Sequence, residues 1–271
     1  SNNAISLHHG RYFIETHFYR KKGTDLFLVK NSWLRDLRRM KMPRQARIVL
    51  ANTPHHIVQR GHNRETVFVE RQDYLYYLDT LKEWKRELSV NVYGYCLMTN
   101  HVHLILDPMN EPANIGKLMK RLAGRQTRYV NHQEKRTGSL WEGRYKSSPI
   151  ETDIYLLACL RYVERNPIKP GMVDHERDYE WSSYRQHVGL EQEAWIDSDL
   201  AYLGLAEDKQ VREQRYRDYI DQAGSENERQ LIGNALQRNQ LTGSSRFVDE
   251  IEKRLGQRIE NRGPGRPRRN V

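Results

Sequence analysis

Two histidines one residue apart lie in Asn100-His101-Val102-His103-Leu104-Ile105-Leu106. In a strand, residues two apart are ~6.7 Å apart along the chain and point to the same face, so His101 and His103 set two imidazoles side by side, where they could hold one divalent ion. They could equally decorate the solvent side of an edge strand. A second group lies in Leu160-Arg161-Tyr162-Val163-Glu164-Arg165-Asn166-Pro167. Tyr162 and Asn166 are four apart, one helical turn, and bring a phenol and an amide carbonyl to a shared face. Alone, that pair reads just as well as a core tyrosine and a helix-ending asparagine before proline.

Regular elements must position these residues. His55 to Gln59 alternates loosely as a strand and runs into the turn-like Arg60-Gly61-His62-Asn63-Arg64. Tyr74, Tyr77, Leu78, Leu81 and Trp84 form a helical stripe within 71–88. Segments 91–98 and 101–107 read as a hairpin around Thr99-Asn100, 113–131 as a second helix, and 153–166 as a third, stopped by Pro167. The order strand, helix, strand, strand, helix, helix predicts an α+β fold, an antiparallel sheet covered by helices on one face. Beyond Gly189 the pattern is helical and polar, with two or three amphipathic helices ending near Gly256. Four parts result: a basic arm over 1–42, a core domain over 43–189, a helical region over 190–260 and a basic tail over 261–271. Met40 and Met42 precede the regular sequence, and whether residues 1–41 are native stays open.

The chain's 271 residues carry 45 Lys and Arg against 35 Asp and Glu, a net charge of +10, which points to an acidic polymer as partner. Lys117, Lys120, Arg121, Arg125 and Arg128 recur at helical steps, with no acidic residue between Glu111 and Glu134, and make a cationic face suited to phosphate. Arg144, Tyr145 and Lys146 place an aromatic among cations, a combination that can stack an unpaired base. Gly263-Pro264-Gly265-Arg266-Pro267-Arg268-Arg269 reads either as an AT-hook, with Arg266 and Arg268 entering a narrow minor groove, or as a plain basic tail. The helices over 226–256 read either as a duplex-binding module or as a packing element. Cys96 and Cys159 sit in apolar segments and read as packed thiols in a reducing cytoplasm. No apolar run approaches the ~18 residues of a membrane span, and no secretory leader is visible.

Four segments taken in order, His56-Ile57-Val58-Gln59-Arg60-Gly61, Tyr95-Cys96-Leu97-Met98-Thr99-Asn100-His101-Val102-His103, Trp141-Glu142-Gly143-Arg144-Tyr145-Lys146-Ser147 and Tyr162-Val163-Glu164-Arg165-Asn166-Pro167, resemble the single-tyrosine transposases with a His-hydrophobic-His motif, especially the REP-associated, IS200-like ones. The resemblance covers about 43–188. It implies a ferredoxin-like (RRM-like) core with an all-α C-terminal extension. It further implies that His101, His103 and Asn166 hold Mg²⁺ or Mn²⁺, with Asn166 the position where family members differ, and that Tyr162 is the nucleophile. A phenol with a pKa of ~10 needs help in that role at neutral pH; besides the ion, Arg161, Arg165 and Lys169 are cations that could supply it, and Tyr155 and Tyr145 are the fallback nucleophiles. The activity implied is cleavage and rejoining of single-stranded or hairpin DNA, with repetitive extragenic palindromes as substrate, Arg60, Arg64 and the 144–146 segment near the strand, and the bacterial nucleoid as location. Two other classes stay open, a catalytically silent DNA-binding regulator and a metal hydrolase that cuts with water. On this reading, removing the region beyond Gly189 should weaken duplex binding and leave cleavage of a short strand intact.

Overall fold

The computed structural model describes residues 47–191, 194–222 and 224–259. The predicted arm over 1–42 and tail over 261–271, with Arg266 and Arg268, lie outside the described residues.

The first strand, β1 (His55–Arg60), leads through a single 3-10 turn (His62–Arg64) to α1 (Arg71–Glu87). The hairpin β2 (Asn91–Met98) and β3 (His101–Asp107) follows, then α2 (Ala113–Gln133), β4 (Lys146–Pro149) and α3 (Thr152–Glu164). The sheet order is β2-β3-β1-β4 with every neighbouring pair antiparallel, the βαββαβ arrangement expected of a ferredoxin-like core. β4 was not foreseen; its Lys-Ser-Ser-Pro sequence has neither alternation nor β-branched residues, and it is held by pairing with β1.

Helices cover both faces of the sheet, which corrects the expectation of one. Strand alternation sends Ile57, Val102, Leu104 and Leu106 to the side packed by α1 and α2. Cys96, Met98 and Ile105 go to the other side, where they meet Leu156, Cys159, Leu160 and Val163 of α3. Gly94 permits that second contact. A Cβ there would lie 2.5 Å from Leu160 Cδ2 and 3.1 Å from Ser183 Oγ, both on buried residues. Gly94→Val should therefore lower stability by about 2 kcal/mol, the scale of core overpacking, measured as a drop in urea midpoint at unchanged slope.

Past residue 183 the chain forms α4 (Tyr184–His187), α5 (Leu200–Leu203), α6 (Lys209–Asp221), α7 (Glu226–Arg238) and α8 (Ser245–Leu255). The last closes on Gly256, which adopts φ 64° as the predicted stop. These helices are not a detachable tail. Tyr202, Tyr216, Ile220 and Ile232 belong to the same core as the inner face of α3. The Glu164 carboxylate, wholly buried at the end of α3, accepts hydrogen bonds from Ser183 Oγ (2.6 Å) and Tyr216 Oη (2.8 Å) and pairs with His187 Nδ1 (2.7 Å). Arg161 spans to Glu228 of α7 at 2.7 Å. Later segments also run along the sheet's outer strands. Residues 181–183 bond to Tyr95 and Leu97 of β2, and Thr242 bonds to Pro149 and Glu151 beside β4.

Candidate active site

The face of the sheet that receives α3 carries the histidines. Register places Val58 opposite His103, Arg60 opposite His101 and His56 opposite Ile105, so His56, Val58, Arg60, His101 and His103 share this face. The His-x-His pair is thus on an inner strand, not an exposed edge, with ring centroids 5.0 Å apart. Tyr162 comes down from α3 onto the same rings. Its centroid is 6.1 Å from that of His103 and 5.6 Å from that of His56, both edge-on. Its hydroxyl has no hydrogen-bond partner among the described residues, and α7 passes close by, since a Cβ on Gly233 would sit 3.7 Å from Oη.

The ring nitrogens divide in a way that suits an ion. His101 Nδ1 is 2.6 Å from Asn100 Oδ1, and His103 Nδ1 is 2.8 Å from His56 Nε2. Both Nε2 atoms are left without a hydrogen bond among the described residues, and an imidazole bound to a metal characteristically engages its other nitrogen in this manner. Burial pushes His101 down to about 4, with Arg60 adding to the effect. It pushes His56 to about 3 and His103 well below the usual value, the latter helped by His56, His101 and Arg60. The rings are neutral at physiological pH, with lone pairs to give. Burial also raises the Tyr162 phenol above its usual 10, with Cys159 contributing, so Oη stays protonated unless a cation draws on it.

Asn166 lies just past the end of α3, which stops at Glu164 and not at Asn166 as its periodicity predicts. Its Nδ2 donates to the carbonyls of Tyr162 (2.9 Å) and Val163 (3.4 Å), which leaves Oδ1 as the atom it can offer. Among the described residues no three His, Cys, Asp or Glu side chains form an ion cage, so two imidazoles and an amide oxygen are the donor set at hand. His56 is the functional candidate that sequence reasoning missed. Its signal was available: it sits one residue out of phase with core-facing Ile57, and therefore on the histidine side.

The predicted cations fall into separate groups. Arg60, Arg144 and Lys146 line a cleft of about 240 Å³ with Val58, Glu142 and Gln237, on the histidine side of β1 and β4. Lys146 Nζ is bonded to the Gln237 carbonyl at 3.2 Å. Arg64 is exposed, and its carbonyl accepts from Asn100 Nδ2 at 3.1 Å. Lys117, Lys120, Arg121, Arg125 and Arg128 ride on α2, across the sheet from the histidines. Of these, Arg121 and Arg125 lie over Trp84, and Arg125 is ion-paired with Glu83. Tyr145 is not an open platform for a base, because the Arg47 guanidinium covers its ring at 3.9 Å. Arg161 and Arg165 do not assist Tyr162. Arg161 binds Glu228 and the Tyr219 and Gln222 carbonyls; Arg165 binds the Ile220 carbonyl and Glu176. The cation whose field reaches His101 and His103 is Arg60.

Buried histidines at the root of the site make the fold acid-sensitive. His55 is fully buried, with Nε2 accepting the Leu50 N–H at 3.1 Å, and burial lowers it from 6.5 to about 4. The folded state then binds fewer protons than the unfolded chain between those values, so stability falls as pH falls through that window. At pH 5 the loss from His55 alone is about 2 kcal/mol relative to pH 7, and His56 contributes in the same direction. Denaturant titrations at pH 7 and pH 5 check this; equal midpoints would refute it.

Residues 50–166 match the family model described as "Transposase IS200 like". A Haemophilus influenzae (strain Rd) protein named as a REP-associated tyrosine transposase is 28% identical over 108 residues, 35% of this chain, and the chain spans 60% of that relative's length. Among solved structures, a REP-associated tyrosine transposase bound to a REP hairpin aligns with TM-score 0.46 at 15% identity over 59% of this chain and 93% of that one. A Deinococcus radiodurans R1 protein described as a transposase aligns with TM-score 0.29 at 22% identity over 40% and 84%. No helix among the described residues is long and apolar enough to cross a membrane.

Proposed function

We propose, from the match of residues 50–166 to the IS200-like transposase family, that this chain is such a transposase and that it cleaves and rejoins single-stranded or hairpin DNA with Tyr162 as nucleophile. The observation that carries the reading is the convergence of Tyr162 on the histidine face: a phenol from α3, without a hydrogen-bond partner among the described residues, within about 6 Å, ring to ring, of His56 and His103. IS200-like transposases are in general metal-dependent, and the donors here fit a hard or borderline divalent ion. His101 and His103 would hold Mg²⁺ or Mn²⁺ through Nε2, and Asn166 through Oδ1. Bound there, the ion would supply positive charge to offset that building on the scissile phosphate.

The chain's own residues do the rest. Arg60, Arg144 and Lys146 hold the strand's backbone in their cleft, exposed Arg64 adds a further phosphate contact, and Arg60 places positive charge next to the reacting phosphate. Tyr162 Oη gives up its proton as it bonds to phosphorus. The P–O3′ bond breaks, the 3′ oxygen takes up a proton, and the 5′ end stays on the enzyme as a phosphotyrosine. One phosphodiester replaces another, so an incoming 3′-hydroxyl can reverse the step and join a second strand without ATP. Repetitive extragenic palindromes are the proposed target, in keeping with the name of the Haemophilus relative. The cations of α2, across the sheet, would serve a more distant stretch of the same DNA, and Arg266 and Arg268 would contact its minor groove.

Incubation with Mn²⁺ and labelled hairpin-bearing strands, followed by a denaturing gel, tests the reading. It expects a metal-dependent, slow-migrating covalent adduct. Binding without cleavage on every strand would instead establish a silent DNA-binding protein, and a free 5′-phosphate with no adduct would establish hydrolysis by water.

A further inference from the structure

Deepening that reading and resting on it, we infer that His56 is a positioning residue that fixes which nitrogen of His103 faces the ion. The two ligand imidazoles are set by different neighbours. Asn100 donates through Nδ2 to the Arg64 carbonyl, so its Oδ1 is the atom turned to His101 Nδ1. An amide oxygen only accepts, so His101 carries its proton on Nδ1 and presents a bare Nε2. His103 has no such one-way partner. Its Nδ1 meets another imidazole, His56 Nε2, at 2.8 Å, and either ring can be the donor.

Only one of the two arrangements serves an ion. With the shared proton on His56 Nε2, a neutral His103 must carry its own proton on Nε2, and that nitrogen has no lone pair to give. With the shared proton on His103 Nδ1, His56 accepts through Nε2 and keeps its remaining proton on Nδ1, and His103 Nε2 is bare. Among the described residues His56 Nδ1 is buried without a partner, so no fixed donor or acceptor there dictates which tautomer His56 adopts. Both rings are buried and share one hydrogen bond, so the two arrangements differ by an exchange of tautomers with no net gain or loss of protons. His56 is fully buried on the central strand β1 and stands edge-on to Tyr162, so one rigid ring abuts both the ligand and the nucleophile. Its place in the fold is that of an acceptor second to the ion, supplied by a third histidine rather than a carboxylate.

The test measures Mn²⁺ affinity of the full chain without DNA, from the electron paramagnetic resonance signal of free Mn²⁺. His56→Phe keeps a buried ring but cannot accept a hydrogen bond, and it should weaken binding by about 10- to 100-fold. His56→Gln loses the ring but can accept through Oε1, and it should bind closer to wild type. A packing role ranks the two variants the other way. Phe binding as tightly as wild type, or Gln falling as far as Phe, overturns the inference while the ion site stands. A wild type that binds no Mn²⁺, or binds it equally well as His101→Ala, removes the ion site and the inference together. Long-range ¹⁵N–¹H spectra of the wild type with excess Mg²⁺ give a check that needs no variant: the His103 proton should sit on Nδ1, and a proton on Nε2 overturns the assignment.

Discussion

Tyr162→Phe should abolish the covalent protein–DNA adduct while leaving strand binding close to wild type. The substitution removes one atom. The ring remains in edge contact with His56 and His103, and Oη has no hydrogen bond among the described residues whose loss would disturb the fold. Losing a covalent nucleophile costs about a thousandfold or more in rate, far beyond a binding effect. Adduct formation that persists would move the role to Tyr155 or Tyr145, but neither is placed as well. Tyr145 is on the 144–146 segment under Arg47, and Tyr155 is two turns earlier on α3. The raised pKa of Tyr162 adds a second signature, a wild-type cleavage rate that climbs with pH through and above neutrality.

Ending the chain at Gly189 should eliminate cooperative folding and all cleavage with it. Four fully or nearly fully buried side chains, Tyr202, Tyr216, Ile220 and Ile232, would vanish from the core that seats α3. At about 1.5–3 kcal/mol each, their loss is about 6–12 kcal/mol, comparable to the whole stability of a domain. Arg161 would also be stripped of Glu228, and Glu164 of the Tyr216 hydroxyl. Circular dichroism melts and the gel assay check this. A truncated chain that melts sharply and still cuts would restore the separable tail that the sequence pattern suggests.

Three strands of the sheet and the helices α1 and α2 were legible because periodicity is a local property. The bounds of β2 and β3 agree with their sequence patterns residue for residue, and α1 and α2 to within two residues. β4 was hidden because its pairing partner is some 90 residues away and its own sequence has no strand character. The role of the last helices was hidden for a similar reason. Their polarity reflects one solvated face, and nothing local reveals that Tyr216 and Ile232 meet α3. At the site, His101, His103 and Tyr162 were marked by spacing together with the family resemblance, since spacing alone left a decorated strand and a core tyrosine as equal readings. His56 was not, because its meaning depends on register between β1 and β3. The cationic stripe of α2 was read correctly as a stripe, but only the layer arrangement shows that it lies across the sheet from the histidines.

The segments that run along β2 and β4 bear on how copies of this chain can associate. A four-stranded open sheet normally offers two rows of unpaired backbone groups through which another protomer could add strands. Here the row on β2 is partly taken by residues 181–183, and the end of the row on β4 by the Thr242 segment and the Asn239 side chain. A dimer built by merging two sheets would first have to peel those segments away. The same partial cover on both borders doubles as protection against strand-to-strand aggregation.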